Sequence, residues 1–176
     1  YKRLKELSRI GIKALIVDCL YAPDDRKTPS EKIAKSLLED VFLSIEHKSA
    51  LVITTFSSHI ARLKTIVELG RRINREVVFC GRSLSKYVIA ARNIGKAPFF
   101  KDIKLISYRR QLEKMLAKIN KEKSRYLLVC TGHQGEPGSI LERLSRHQLP
   151  LKLGDEDHVI FSSKTIPTPI NEVSKE

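Results

Sequence analysis

The sequence predicts an α/β fold, a doubly wound and mostly parallel sheet with helices on both faces. Three observations lead there. Six short apolar runs rich in Val, Ile and Leu recur along the chain, and helical periodicity fills most of the gaps between them. Several of the runs also empty into Ser, Thr, Gly and His, the residue types of loops at the carboxyl edge of parallel strands.

The runs are ALIVDC at 14–19, ALVITTF at 50–56, VVFCG at 77–81, IKLIS at 103–107, RYLLVC at 125–130 and HVIFSS at 158–163. Each is expected as a buried strand. Between the first two, Thr28-Pro29-Ser30-Glu31 reads as a helix start, with Thr28 as cap, Pro29 at the first helical position and Glu31 closing a capping box. Behind it Ile33, Leu37, Leu38, Val41, Phe42 and Ile45 share one face, which predicts packing on the sheet. A second helix over about 59–69 turns Ile60, Leu63, Ile66 and Val67 inward and is expected to stop at Gly70. A third over 83–93 ends at Gly95, with Pro98 beyond. A fourth over 109–121 buries Leu112, Met115, Leu116 and Ile119 and turns Lys and Arg outward, and a short fifth spans 139–147.

The totals narrow the class. At 176 residues, 41% hydrophobic and 30% charged, the chain is sized for one domain with a real core. No apolar run approaches the ~20 residues that cross a bilayer, and the start does not resemble a secretion signal, so no membrane partner is expected. Lys and Arg number 33 against 20 acids, a net +13 that points to a polyanion partner or to a solvated basic surface. The three cysteines, Cys19, Cys80 and Cys130, lack close spacing, which predicts reduced thiols in a cytoplasmic compartment. The sequence opens on Tyr1 and NEVSKE reaches no recognisable stop, as expected of a segment from a longer chain.

Three strand ends carry the candidate chemistry. Ser57-Ser58-His59 stands where a strand turns into a helix, so free N–H groups and two hydroxyls are placed to hold an anionic oxygen, with Arg62 one turn on; an ordinary helix cap fits the same residues. In TGHQGEPGS, at 131–139, Gly132 and Gly135 let backbone approach a ligand while His133, Gln134 and Glu136 supply donors and acceptors, though a bare turn is the alternative. Ser162-Ser163-Lys164 closes the last run. Asp18 ends the first, as a functional carboxylate or a turn acceptor, and Arg82 in Gly81-Arg82-Ser83 is a cation for a phosphate or for Asp18. Neither a Walker loop nor GxGxxG occurs. Zinc has no support in spacing, since CxxC, HxH and HExxH are absent, and a Ser57/His133/Asp18 triad lacks a GxSxG elbow.

Taken in order and spacing, Thr54 to Arg62, Gly81-Arg82-Ser83, Thr131 to Pro137 and Phe161 to Pro167, with Thr28 to Glu31 after Asp18, resemble the β-CASP domain of ribonuclease J, a Rossmann- or flavodoxin-like unit. The likeness covers almost the whole chain. It implies a lead-in at 1–13 from a metallo-β-lactamase domain, a β-CASP domain at 14–164 and an exit segment at 165–176. It implies a processive 5′-to-3′ exoribonuclease with some endonuclease action, acting on single-stranded RNA with a preference for a 5′-monophosphate. Two zinc ions would do the cleaving, held by ligands before Tyr1 and after Glu176, so this chain by itself is expected to hold no zinc and to be inactive. Asp18 then matches the acidic motif near the metals. The Ser57-Ser58 turn matches the terminal-phosphate loop, and Gly132 to Glu136 with Ser162-Ser163 match segments facing the RNA channel. His59 stands where many members carry Asn, and a homodimer is left open. Two rivals stay in play: a free-standing nucleotide or sugar-phosphate enzyme, and a noncatalytic basic module using Lys114, Lys118 and Lys121.

Overall fold

The computed structural model describes residues 2–17, 25, 29–45 and 48–163. Among these described residues thirteen elements run in order as α1 (Lys2–Ile10), α2 (Glu31–Ser44), β1 (Leu51–Thr54), α3 (Ile60–Arg72), β2 (Glu76–Cys80), α4 (Arg82–Asn93), a 3-10 turn (Pro98–Asp102), β3 (Ile103–Ile106), α5 (Arg109–Lys121), a second 3-10 turn (Lys123–Arg125), β4 (Tyr126–Cys130), α6 (Ile140–Ser145) and β5 (His158–Phe161). The five strands form one sheet in the order β3-β2-β4-β1-β5, every neighbouring pair parallel. The doubly wound α/β expectation holds.

Alternation along the strands builds the two layers. Leu51, Ile53, Val77, Phe79, Leu127 and Val129 point to one face, where they meet Leu63, Ile66 and Val67 of α3 and Leu84 and Val88 of α4. Val52, Val78, Cys80, Leu128 and Cys130 point to the other, against Leu112, Leu116 and Ile119 of α5 and Ile140 and Leu144 of α6. Two-sided burial is why these strands read as continuous apolar runs. Helices α3 and α4 carry the chain toward β3 on one face, and α5 and α6 carry it back toward β5 on the other. Neighbouring β2 and β4 therefore exit to opposite faces, which makes the crevice between their carboxyl ends the topological switch point.

Four expectations are corrected. The first apolar run is not a strand over 14–17: no strand pairs with it, and Leu15, Ile16 and Val17 are exposed. Its remaining residues, Asp18 and Cys19, lie outside the described residues. The lead-in carries an unexpected helix, α1, none of whose residues is buried. Helix α2 begins at Glu31, with Ser30 as cap and no side-chain capping bond, and the Glu31 carboxylate is engaged by Arg62 instead of closing a capping box; Thr28 lies outside the described residues. Its contact stripe is narrow, since it packs on α3 through Leu38 and Phe42 while Ile33, Leu37 and Val41 stay exposed.

The fourth correction concerns Gly70, which does not end α3. The helix continues to Arg72 and turns at Asn74, whose φ is 56°. A Cβ at position 70 would lie 2.7 Å from Val77 Cγ2 and 2.8 Å from Leu127 Cδ2. Glycine is there so that the helix can press onto the sheet. Elsewhere the helix ends follow the sequence closely: α5 keeps its expected bounds, α4 leads to Gly95 at φ 69°, and α6 is shorter than expected.

Candidate nucleic-acid interface

Strand register decides which loops meet. Thr54 at the end of β1 stands beside Cys130 of β4 and Phe161 of β5, so the segments that follow these three strands emerge side by side. Contacts between them confirm the convergence. The Phe56 and His133 rings meet edge-on with centroids 4.3 Å apart, and Thr55 Oγ1 donates to the Ser162 carbonyl at 3.3 Å. Ser57, Ser58 and His59 thus share one rim with Gly132 to Glu136 and with Ser162 and Ser163. Asp18 and Lys164, also singled out by sequence, lie outside the described residues.

Each loop is shaped by its own residues. The His59 N–H donates to Phe56 O and the Ile60 N–H to Ser58 O, a tight turn that half-buries Ser57 and leaves Ser58 exposed. On the β4 loop Gly132 has φ 126°, and a Cβ there would lie 2.6 Å from Ser139 Oγ and 2.7 Å from Leu141 Cβ. The Gly135 N–H closes back onto Gly132 O, and the Glu136 carboxylate accepts from the Gln134 N–H at 3.0 Å. Gly135 and Glu136 are exposed.

His133 is the unusual member. It is buried, yet neither ring nitrogen has a hydrogen-bond partner among the described residues, and the same holds for the Ser163 hydroxyl. Burial pushes the imidazole below its ordinary range, and the nearby Glu136 charge only partly offsets this. A neutral ring with one unmet donor and one unmet acceptor is normally under-satisfied by about 1–3 kcal/mol. Such a residue marks a position where a ligand or another polar group completes the bonding.

Arg62 takes a place the sequence did not foretell. Its Nε and NH2 donate to Glu31 Oε1 at 2.6 Å and Oε2 at 2.9 Å, a bidentate fork, while NH1 donates to the Ser162 carbonyl at 2.6 Å and hydroxyl at 2.9 Å. His59 Nε2 lies 3.4 Å from the same carboxylate. The hydrogen bonds from Arg62 hold the Glu31 carboxyl below the usual range against the opposing effect of burial. The guanidinium thereby ties α2, α3 and the end of β5 together behind the rim.

Arg82 stands apart from this group, at the end of β2. It lines a separate cleft of about 710 Å³ with Arg109, Arg143, Tyr108 and several hydroxyls. Sequence reasoning missed these partners. Ser107-Tyr108-Arg109 also follows a strand directly and carried the same strand-end signal, whereas Arg143 sits inside a short helix and only tertiary structure brings it in. Two structural residues were missed as well. Asp157 accepts from the Ala50 N–H at 2.6 Å and the Gly154 N–H at 2.8 Å and pairs with Lys123. Buried Arg75 donates to the carbonyls of Ser49, Lys123 and Tyr126 and caps the opposite edge of the sheet.

Among the described residues no group of three or more His, Cys, Asp or Glu side chains gathers to hold a metal ion. Cys80 and Cys130 are buried free thiols at the ends of neighbouring strands. No described helix is long and apolar enough to cross a membrane.

Residues 48–176 match the family described as ribonuclease J, beta-CASP domain. Among curated proteins, the chain is similar to Ribonuclease J of Pyrococcus abyssi, 42% identical over 97% of this chain and 38% of that protein. Ribonuclease J of Methanocaldococcus jannaschii is 36% identical over 97% of the chain and 39% of its own length. Ribonuclease J of Sinorhizobium meliloti is 28% identical over 94% of the chain and 28% of its own length. The chain therefore spans about two fifths of the length of the first two relatives.

Proposed function

Because this chain belongs to the β-CASP family of ribonuclease J, we propose that it is the RNA-binding part of a 5′-to-3′ exoribonuclease with some endonuclease action. The observation that carries the reading is the shared rim: loops after β1, β4 and β5 converge with hydroxyls, glycine backbone and an under-satisfied histidine. That donor set suits the terminal phosphate and first nucleotides of single-stranded RNA. Ser57 and Ser58 take the 5′-phosphate, Gly132 to Glu136 and Ser162-Ser163 guide the strand, and Lys and Arg supply backbone charge.

Hydrolysis itself belongs to the metallo-β-lactamase part of the protein, whose two zinc ions supply an activated water. The described residues offer no fitting ligand set, so no step of that chemistry is assigned to them. The share of this chain is binding and register, with Asp18 in the role that the family's acidic motif implies. The exposed apolar side chains of α1 and of 14–17, Leu4, Ile10 and Ile16 among them, support docking of the lead-in at 1–13 and the start of the β-CASP unit at 14–164 against that second domain, with 165–176 as the return.

The test is hydrolysis by the whole enzyme of matched RNAs bearing a 5′-monophosphate or a 5′-hydroxyl. Ser57→Ala with Ser58→Ala should erase the preference for the monophosphate, and an unaltered preference moves that pocket elsewhere. Asp18→Ala should lower turnover far more than RNA affinity, and unchanged turnover removes Asp18 from the mechanism.

A further inference from the structure

We propose that the cleft at the switch point between β2 and β4 is a second nucleotide-binding site, distinct from the Ser57–His59 rim, which grips a phosphate with Arg82 and Arg143 and stacks a base on Tyr108. Its walls come from the ends of three adjacent strands, β3, β2 and β4, and the cleft of about 710 Å³ is large enough for a nucleoside monophosphate. Open parallel sheets bind ligands at this place because the two exiting connections part to opposite faces.

The charge of the lining is one-sided. Arg82, Arg109 and Arg143 all line the cleft, and no carboxylate among the described residues does. Arg109 spends its Nε on Glu113 one turn along the same exposed helix face, at 3.0 Å. Arg82 and Arg143 make no ion pair among the described residues, so both forks are available to a phosphate. The hydroxyls of Ser83 and Thr131 also line the cleft, and Gly81, at φ 123°, brings backbone to its wall.

An apolar floor and an aromatic rim set the ligand class. Leu112 and Ile140 lie beneath the arginines, and Tyr108 is 72% exposed at the edge of the cleft. An aromatic ring left in water beside a cationic wall is the arrangement that stacks a nucleobase while arginine holds the phosphate. The choice of a nucleotide rests on the nuclease reading above; the cleft and its charge do not. Two sources share this chemistry: a nucleotide within an RNA strand and a released mononucleotide.

The test is titration of the protein with uridine 5′-monophosphate and, separately, with a short 5′-hydroxyl oligouridylate, followed by amide NMR. The monophosphate should bind saturably and shift Gly81, Arg82, Ser83, Ser107 and Tyr108, whereas uridine should bind at least about tenfold more weakly. Arg82→Ala with Arg143→Ala should weaken the monophosphate at least about tenfold without lowering thermal stability, because neither side chain has an ion-pair partner among the described residues to lose. Tyr108→Ala should weaken it while leaving inorganic phosphate unaffected. If the oligonucleotide shifts the same amides the source is the strand, and if only the monophosphate does the source is the free nucleotide.

Absence of saturable binding, shifts confined to Ser57–His59 and Gly132–Glu136, or wild-type affinity in the double arginine variant overturns the proposal. Loss of nuclease activity in the whole enzyme with monophosphate binding intact would sink the nuclease reading alone. An active nuclease that binds no monophosphate would sink the cleft alone.

Discussion

Arg62 grips Glu31 with two parallel hydrogen bonds, at 2.6 Å and 2.9 Å, and uses its remaining nitrogen on Ser162. One half-buried guanidinium thus closes the start of α2, the first turn of α3 and the exit of β5 behind the rim. Arg62→Ala leaves the Glu31 carboxylate without its fork and the Ser162 carbonyl with the Thr55 hydroxyl alone, and should cost about 2–4 kcal/mol in chemical denaturation. Arg62→Lys cannot reproduce the fork and should restore less than half of that loss. Equal stability of all three proteins would show that the clamp carries no weight.

Two glycines separate backbone strain from steric overlap. Gly132 and Gly81 have nearly the same φ, 126° and 123°, in a region that side chains rarely adopt. A Cβ at Gly81 meets only Ile140 Cδ1 at 3.6 Å, whereas at Gly132 it overlaps Ser139 and Leu141. Gly81→Ala should destabilise by about 1–2 kcal/mol from strain, and Gly132→Ala by about 2 kcal/mol more from displaced neighbours. RNA affinity should fall in the Gly132 variant beyond what its unfolded fraction explains, since its loop is moved.

Acid should weaken the fold in two steps. Burial holds the folded His133 below its ordinary 6.5, so the unfolded chain takes up that proton first. The stability it contributes is complete above pH 6.5 and is lost as pH falls through the folded value. Glu31, Glu68, Glu76 and Asp157, all held below the usual carboxylate range, add their losses lower, under about pH 4.5. His133→Phe keeps an aromatic ring against Phe56 and should abolish the upper step in denaturation curves between pH 7 and 5 while preserving the lower one. Persistence of the upper step would assign it to another group.

The thiols predict the alkaline limb. Burial raises Cys130 from 9.0 to about 12, and burial with the neighbouring Cys130 raises Cys80 further. Both stay protonated in the fold while the unfolded chain ionises, so their contribution is whole below pH 9 and drains as pH climbs toward 12. The slope should be about 1.4 kcal/mol per pH unit for each thiol. Cys80→Ala with Cys130→Ala should flatten it, at the cost of a lower plateau from lost packing. Below pH 8 neither thiol should react with iodoacetamide faster than the protein unfolds.

How much of this was legible beforehand varies with the kind of residue. The runs at 51–54, 76–80 and 126–130 announce themselves because strands buried on both faces are apolar nearly throughout, and that needs no knowledge of neighbours, whereas the edge runs at 103–106 and 158–161 are half-buried and carry the signal more weakly. The apolar run at 14–17 carries the same signal and forms no strand, since a strand exists only where another offers its hydrogen bonds. Gly70 looks like a helix stop in sequence and proves to be a contact surface, because local propensity cannot report that Val77 and Leu127 press from outside the helix.

Composition and periodicity by themselves determined the α/β class, the polyanion-seeking charge and the strand-end loops at Ser57, Gly132 and Ser162, because each is written in residues close together along the chain. Tertiary structure alone decided that Arg62 is spent on Glu31, that His133 is buried with no hydrogen-bond partner among the described residues, and that Arg82, Tyr108 and Arg143 line one cleft. Those relations join residues 26 to 61 positions apart, and strand order, which no local pattern encodes, brings them together.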